Sequence, residues 1–269
     1  MSGPRRIAAI ALPILAFLAL AGLALRYRPA VSLEYDPAYW AKEESRSGGW
    51  LQGVTPAGIA YFLYLPRSSD SPTGDTPTGD RQVPLVAVFH GSNQKDVSRE
   101  RFGSLFADPA AQAALGPAGA AVLVPLSRTD YFSDPASYAR FIENIALRHP
   151  EIDPRRIAGY GFSQGAAFVM ELAMARPALF RAAAAGSSYY EAGATELFAA
   201  ARVRFYCALS RDDKGIFEQG AATARILSII CPDSRYVEYE NRGHFPIGLR
   251  DAGPRGGETF INWLGKSLR

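Results

Sequence analysis

Apolar residues in this chain fall into short unbroken runs separated by amphipathic stretches. Residues 84–89 are apolar throughout, as expected of a central parallel strand covered on both faces. Residues 59–65, 120–125, 203–209 and 235–239 read as strands on the same grounds. Residues 180–186 are a further candidate with an alanine-rich middle, and a short strand at 156–158 leads into Gly159. Helical spacing appears between them. At 135–149 it puts Tyr138, Phe141, Ile142, Ile145 and Ala146 on one face, with Asp134 as N-cap before Pro135. Residues 99–115 read as helical but interrupted at Pro109, and further helices are expected at 166–176, 216–230 and 258–268. Strand and helix alternate across nearly the whole chain, so the fold class is α/β: a mostly parallel sheet with helices on both faces.

The N-terminus departs from this pattern. Residues 7–25 are almost continuously apolar, broken only by Pro13 and Gly22 and flanked by Arg5, Arg6, Arg26 and Arg28. About 20 apolar residues span a bilayer as a helix, whereas a signal-peptide core needs about 7–15. Length favours an uncleaved membrane anchor with its N-terminus in the cytoplasm. The Ala19-Leu20-Ala21 pattern leaves a cleaved signal open. Either reading places the remainder of the chain outside the cytoplasm. The layout expected is therefore 1–28 as anchor or signal, 29–50 as a tether carrying Tyr35, Tyr39, Trp40 and Trp50, and 51–269 as one domain. Within the domain, residues 68–82 hold two Pro-Thr-Gly-Asp repeats. Such residues cannot bury enough surface to offset chain entropy, so a mobile surface loop is expected.

Composition narrows the function. The net charge is +3 without a basic run of five or more residues, so no nucleic-acid partner is expected. Cys207 and Cys231 show no metal spacing; they are read as buried apolar side chains, with a disulfide as the alternative. No metal or cofactor is expected. The three histidines, His90, His149 and His244, limit any search for a catalytic base. His149 precedes Pro150 at a helix end, where a cation or a donor to terminal carbonyls is favourable.

The residues that carry chemistry centre on Gly161-Phe162-Ser163-Gln164-Gly165, between a strand and an apolar helix. A serine on so tight a turn has strained backbone angles, and the flanking glycines avoid collision. The helix start brings free N–H groups and a partial positive charge beside the hydroxyl. Such a serine needs a base to take its proton.

Residues 152–166, Asp153-Pro154-Arg155-Arg156-Ile157 leading into Gly-x-Ser-Gln-Gly, resemble the nucleophile elbow of bacterial α/β-hydrolase esterases. The nearest group contains polyhydroxybutyrate depolymerase-like, feruloyl esterase-like and phospholipase/carboxylesterase-like proteins, and the resemblance covers roughly residues 55–269. It implies a serine hydrolase with the triad in the order Ser, Asp, His: Ser163 as nucleophile and His244, on the loop after the last strand, as base. The family's G-x-x-D-x-x-V aligns Ser210 with the glycine, Asp213 with the acid and Ile216 with the valine. Asp213 is thus preferred to Asp212, which is read as a solvated loop charge. By the same resemblance His90 shapes the oxyanion loop. The oxyanion donors expected are the backbone N–H groups of Gln164 and Ser92. Residues 128–132 and 187–190 are pocket candidates, since ligands bind beyond the carboxyl ends of the strands. The function implied is hydrolysis of a small-molecule or polymeric ester. The alternatives are a peptidase or amidase on the same triad, and a non-catalytic binding protein on this fold.

Overall fold

Nine strands join in one sheet in the computed structural model, which describes residues 33–41, 44–47, 49–66 and 82–269. The expected anchor or signal at 1–28 and nearly all of the expected loop at 68–82 lie outside the described residues. Among the described residues no helix is long and apolar enough to cross a membrane.

In chain order the elements are a 3-10 turn Pro37–Tyr39, β1 Glu44–Ser47, β2 Trp50–Val54, β3 Ala60–Tyr64, β4 Val83–Phe89, helical turns Lys95–Val97 and Arg99–Gly103, α1 Ser104–Ala107, α2 Pro109–Leu115, β5 Ala121–Pro125 and α3 Pro135–Arg148. There follow β6 Ile152–Phe162, α4 Gln164–Ala175, β7 Ala182–Gly186, α5 Ala194–Ala199, β8 Arg204–Ser210, α6 Lys214–Ile230, β9 Arg235–Tyr239 and α7 Phe260–Ser267. The sheet order is β1-β2-β3-β5-β4-β6-β7-β8-β9. The first three strands join antiparallel and the rest run parallel.

Each face of the sheet has its own core. Leu85, Ala87 and Phe89 of β4 point to a core closed by α3, α4 and α6. Val86 and Val88 point to the other, closed by α1, α2 and α7. That two-sided burial is why β4 shows no alternation in its sequence. It also explains β7, whose run of alanines has little intrinsic strand preference but is buried throughout. The expected break near Pro109 is a cap. The Asp108 carboxylate accepts from the N–H groups of Ala110 and Ala111, and Pro109 opens α2.

Residues ahead of the expected boundary at 51 also join the sheet. Glu44–Ser47 and Trp50–Val54 pair as an antiparallel hairpin at the sheet edge, so part of the 29–50 tether belongs to the domain. The Asp36 N–H donates to Asn144 Oδ1 and the Tyr39 hydroxyl to Ser137, both on α3. The sequence Glu-Ser-Arg-Ser of β1 carries no apolar alternation because an exposed edge strand buries almost nothing. What β1 does bury is Glu44. Its carboxylate accepts from the Tyr61 hydroxyl and lies 3.3 Å from His149 Nε2 and 3.6 Å from the Arg148 guanidinium. His149 Nδ1 faces Glu151 at 3.8 Å.

This clasp should respond to pH. Burial pushes His149 down, but its bonds to Glu151 and Glu44 outweigh that and raise it above its ordinary value. Its stabilisation is complete below about pH 6.5 and is lost as pH rises through the raised folded value. Burial pushes Glu44 up, yet the bonds from His149 and Tyr61 hold it below its ordinary value of about 4.5. Its contribution is present above that value and lost as pH falls through the lowered one. The melting-temperature difference between wild type and His149→Asn should therefore be largest between about pH 4.5 and 6.5 and shrink as pH rises through the raised His149 value. A difference that does not change with pH would exclude the clasp.

Candidate active site

The elbow forms where expected. β6 ends at Phe162, α4 begins at Gln164, and Ser163 between them has φ 55° and ψ −120°. Its N–H donates to the Gly186 carbonyl on β7 at 2.9 Å, and its own carbonyl accepts from the Ala167 N–H at 3.0 Å. The glycines are dictated by main chain. A Cβ on Gly161 would sit 2.2 Å from the Gly165 oxygen, and one on Gly165 would sit 2.3 Å from the His90 oxygen. The Asp-Pro-Arg-Arg lead-in is a clip at the start of β6: the Asp153 carboxylate accepts from the Arg155 N–H and from the guanidinium groups of Arg155 and Arg156.

Ahead of the elbow, the loop after β4 passes close to the serine. A Cβ on Gly91 would lie 3.2 Å from Phe162 Cδ1 and 3.4 Å from Ser163 Cβ. His90 is fully buried and shapes this loop. Its Nε2 accepts from the Ser127 N–H at 3.2 Å, so its proton sits on Nδ1, which donates to the Gly91 carbonyl at 2.7 Å. Burial lowers its pKa and keeps the ring neutral. Because the 91–92 peptide is trans, a Gly91 carbonyl turned toward His90 turns the Ser92 N–H to the opposite side. Neither the Ser92 N–H nor the Gln164 N–H, at the first position of α4, donates a hydrogen bond among the described residues. Both are thus available as oxyanion donors.

The Gln164 side chain has a second task that its sequence position does not announce. Its Nε2 donates to the Phe132 carbonyl at 2.8 Å, and its Oε1 accepts from the Phe132 N–H at 2.9 Å. The pocket candidates of 128–132 accordingly divide. Phe132 is buried, stacked on Phe168 and 4.5 Å from the His90 ring, so it braces the loop after β4. Tyr131 is exposed.

The structure brings the predicted acid and base together. His244 Nδ1 lies 2.6 Å from Asp213 Oδ2. The imidazole packs against Phe162, the residue before Ser163, with ring centroids 4.9 Å apart. The His244 side chain is 39% exposed, so substrate and water can reach it. Asp212 is exposed, as expected of a solvated loop charge, and it is also hydrogen-bonded. Its carboxylate accepts from the N–H groups of Gly243 at 2.9 Å and Arg242 at 3.2 Å, and from the Ser210 hydroxyl at 2.5 Å. Those bonds hold its pKa down. Sequence reasoning misses this because the two backbone partners lie about 30 residues away; the only trace is a serine at 210 where the related pattern has glycine.

Ser187, a pocket candidate by sequence, proves to be a brace. Its hydroxyl donates to the Phe245 carbonyl at 3.0 Å and accepts from the Phe245 N–H at 3.1 Å. Tyr190 donates to Glu196 on α5, and Tyr189 stays half-buried. The histidine loop is thus gripped before His244 by Asp212 and after it by Ser187. Cys207 and Cys231 are buried and unpaired; burial pushes each thiol up to about 12, which removes either as a nucleophile at neutral pH. No cluster of three or more metal-ligating side chains occurs among the described residues.

No family model and no curated protein matches this chain. Solved structures do. A thermostable esterase superposes with a TM-score of 0.57 at 20% identity, over 82% of this chain and 60% of its own length. The feruloyl esterase module from Clostridium thermocellum, solved with sinapinate, gives 0.53 at 11% identity over 82% and 87%. An acylaminoacyl peptidase gives 0.50 at 12% identity over 85% and 40%. The chain therefore spans 60% of the thermostable esterase and less of the peptidase. At these identities the likeness is one of architecture. Together with the strand order, the elbow and the acid and histidine loops beyond β8 and β9, it establishes that the chain has the α/β-hydrolase fold.

Proposed function

We propose that this chain is a serine hydrolase that cleaves a carboxylic ester through an acyl-enzyme on Ser163. The observation that carries this is the 2.6 Å bond between His244 and Asp213, with the imidazole lying against the residue that precedes an elbow serine. In this reading His244 Nε2 takes the Ser163 proton as the hydroxyl attacks the ester carbonyl. Asp213 fixes the tautomer and stabilises the imidazolium. The N–H groups of Ser92 and Gln164 receive the oxyanion, a contribution of about 2.7–4 kcal/mol per donor in comparable sites. His244 then protonates the departing alcohol, and water attacks the acyl-enzyme by the same route.

Esterases among the solved structures of this fold support the ester reading. The peptidase among them marks amides as the alternative, since a triad alone does not select the leaving group. The apolar run at 7–25 supports export, with the catalytic domain outside the cytoplasm and either anchored in the membrane by that segment or released by cleavage.

A fluorophosphonate probe tests the proposal. Wild type should be labelled and Ser163→Ala should not, at equal folded content by circular dichroism. A folded wild type that stays unlabelled sinks the proposal and leaves a non-catalytic domain on this fold. For a labelled wild type, p-nitrophenyl esters of rising chain length beside a feruloyl ester and a peptide anilide separate ester from amide chemistry.

A further inference from the structure

The two adjacent aspartates after β8 grip the same loop in different ways. Asp213 holds the His244 ring, whereas Asp212 holds the backbone that carries it. Asp212 Oδ1 and Oδ2 lie 2.9 and 3.1 Å from the Gly243 nitrogen, and Oδ1 lies 3.2 Å from the Arg242 nitrogen. Ser210 completes the grip: its hydroxyl accepts from the Arg242 N–H at 2.8 Å and donates to Asp212. Among the described residues, no main-chain acceptor serves the N–H groups of Arg242 or Gly243.

We infer that Asp212 and Ser210 are positioning residues for the catalytic base, a second arm of the site directed at the backbone of the His244 loop. This rests on the reading of Ser163, Asp213 and His244 as a triad. The physical reason is local. Gly243 has φ 62° with nothing within 4 Å of where a Cβ would be, so packing does not immobilise the turn. Hydrogen bonds from its N–H groups must do so instead. The segment before the turn is pinned elsewhere: the Arg242 guanidinium pairs with Asp251 at 2.6 Å and lies over the rings of Tyr239 and Phe245. The peptide joining that anchored side chain to His244 is left to Asp212 and Ser210. Asp212 and Asp213 are consecutive, so one short segment sets both the ring bond and the backbone bonds. The acid loop and the base loop then move as one body, and the distance from His244 to its acid and to the serine is set together. Displacing a reacting group by about 1 Å is enough to cost about 10²-fold in rate.

The test compares Asp212→Ala, Asp212→Asn and Ser210→Ala with wild type. It reads kcat and KM for p-nitrophenyl acetate, melting temperature, and the downfield proton resonance of the His244 Nδ1–H bonded to Asp213. Asp212→Ala should lower kcat by about 10²-fold with KM within about twofold, and should broaden or abolish the resonance. Asp212→Asn retains an oxygen that accepts from both N–H groups and should stay within about threefold of wild type with the resonance intact. Ser210→Ala removes the bonds to the Arg242 N–H and to Asp212 but leaves Asp212 on both N–H groups, and should cost about tenfold; it carries the test if Asp212→Ala does not fold. Wild-type kcat in Asp212→Ala overturns the inference, as does an equal loss in Asp212→Asn and Asp212→Ala. The resonance does not depend on turnover, and fluorophosphonate labelling of wild type judges the triad separately, so the two readings fail independently.

Discussion

Replacing His244 by alanine is expected to lower kcat by about 10⁶, while Asp213→Asn lowers it by about 10⁴. The larger loss follows from the weak acidity of a serine hydroxyl. In the proposed mechanism, with His244 gone no group accepts the Ser163 proton, and only binding and the oxyanion donors remain. The smaller loss has a different origin. An asparagine at 213 offers an N–H to His244 Nδ1, so the ring turns its other nitrogen into the protonated one. Nε2 then carries a hydrogen and cannot act as base. Single-turnover measurements with active-site titration distinguish these effects from loss of folded protein. Substituting His149 should leave kcat unchanged within about threefold, because it belongs to the hairpin clasp and sits away from the elbow. Retention of more than a tenth of wild-type kcat in His244→Ala would remove it as the base.

A methyl group added at Gly165 is expected to damage folding and activity together. Its Cβ would fall 2.3 Å from the His90 oxygen and 2.5 Å from the Phe89 oxygen. These are main-chain atoms at the end of β4 and cannot swing aside as a side chain would. To accommodate the methyl, α4 must move off the sheet, carrying the Gln164 N–H out of position and loosening the clamp on Phe132. Overpacking of this kind costs about 1–3 kcal/mol and at times more. A fall in kcat/KM of at least about 10²-fold should accompany it, since in the proposed mechanism the displaced N–H is an oxyanion donor. Gly161→Ala should behave alike, with its Cβ 2.2 Å from the Gly165 oxygen. The control is Gly215→Ala on α6, where a Cβ meets nothing within 4 Å. There the same methyl should be neutral or raise stability by about 0.5–1 kcal/mol. Equal melting temperatures for Gly165→Ala and Gly215→Ala would mean that the elbow is not closely packed.

Much of this architecture is written in local pattern. The predicted strands at 59–65, 84–89, 120–125, 203–209 and 235–239 form within a residue of those limits, because an apolar run bounded by turn residues is a local property. The α3 cap at Asp134 and the break before α2 are legible for the same reason: a carboxylate, a proline and a backbone N–H lie within three residues. Ser163 is legible because its strain has to be relieved by glycines next to it in the chain. The edge hairpin is not legible, since β1 buries no apolar side chains and its pairing is backbone to backbone.

The sequence by itself determined an alternating α/β domain, an elbow serine, three histidines to choose from and two adjacent aspartates after one strand. Tertiary structure alone decided which aspartate meets the His244 ring. It also turned Asp212, Ser210 and Ser187 into braces of the histidine loop and Gln164 into a clamp on Phe132. Those assignments depend on bonds between residues about 30 to 60 positions apart. A polar side chain that will cap a distant loop has the same local signature as one that will face water. Only the sheet, by setting β5 and β6 on either side of β4 and β7 and β9 on either side of β8, brings each donor to its acceptor.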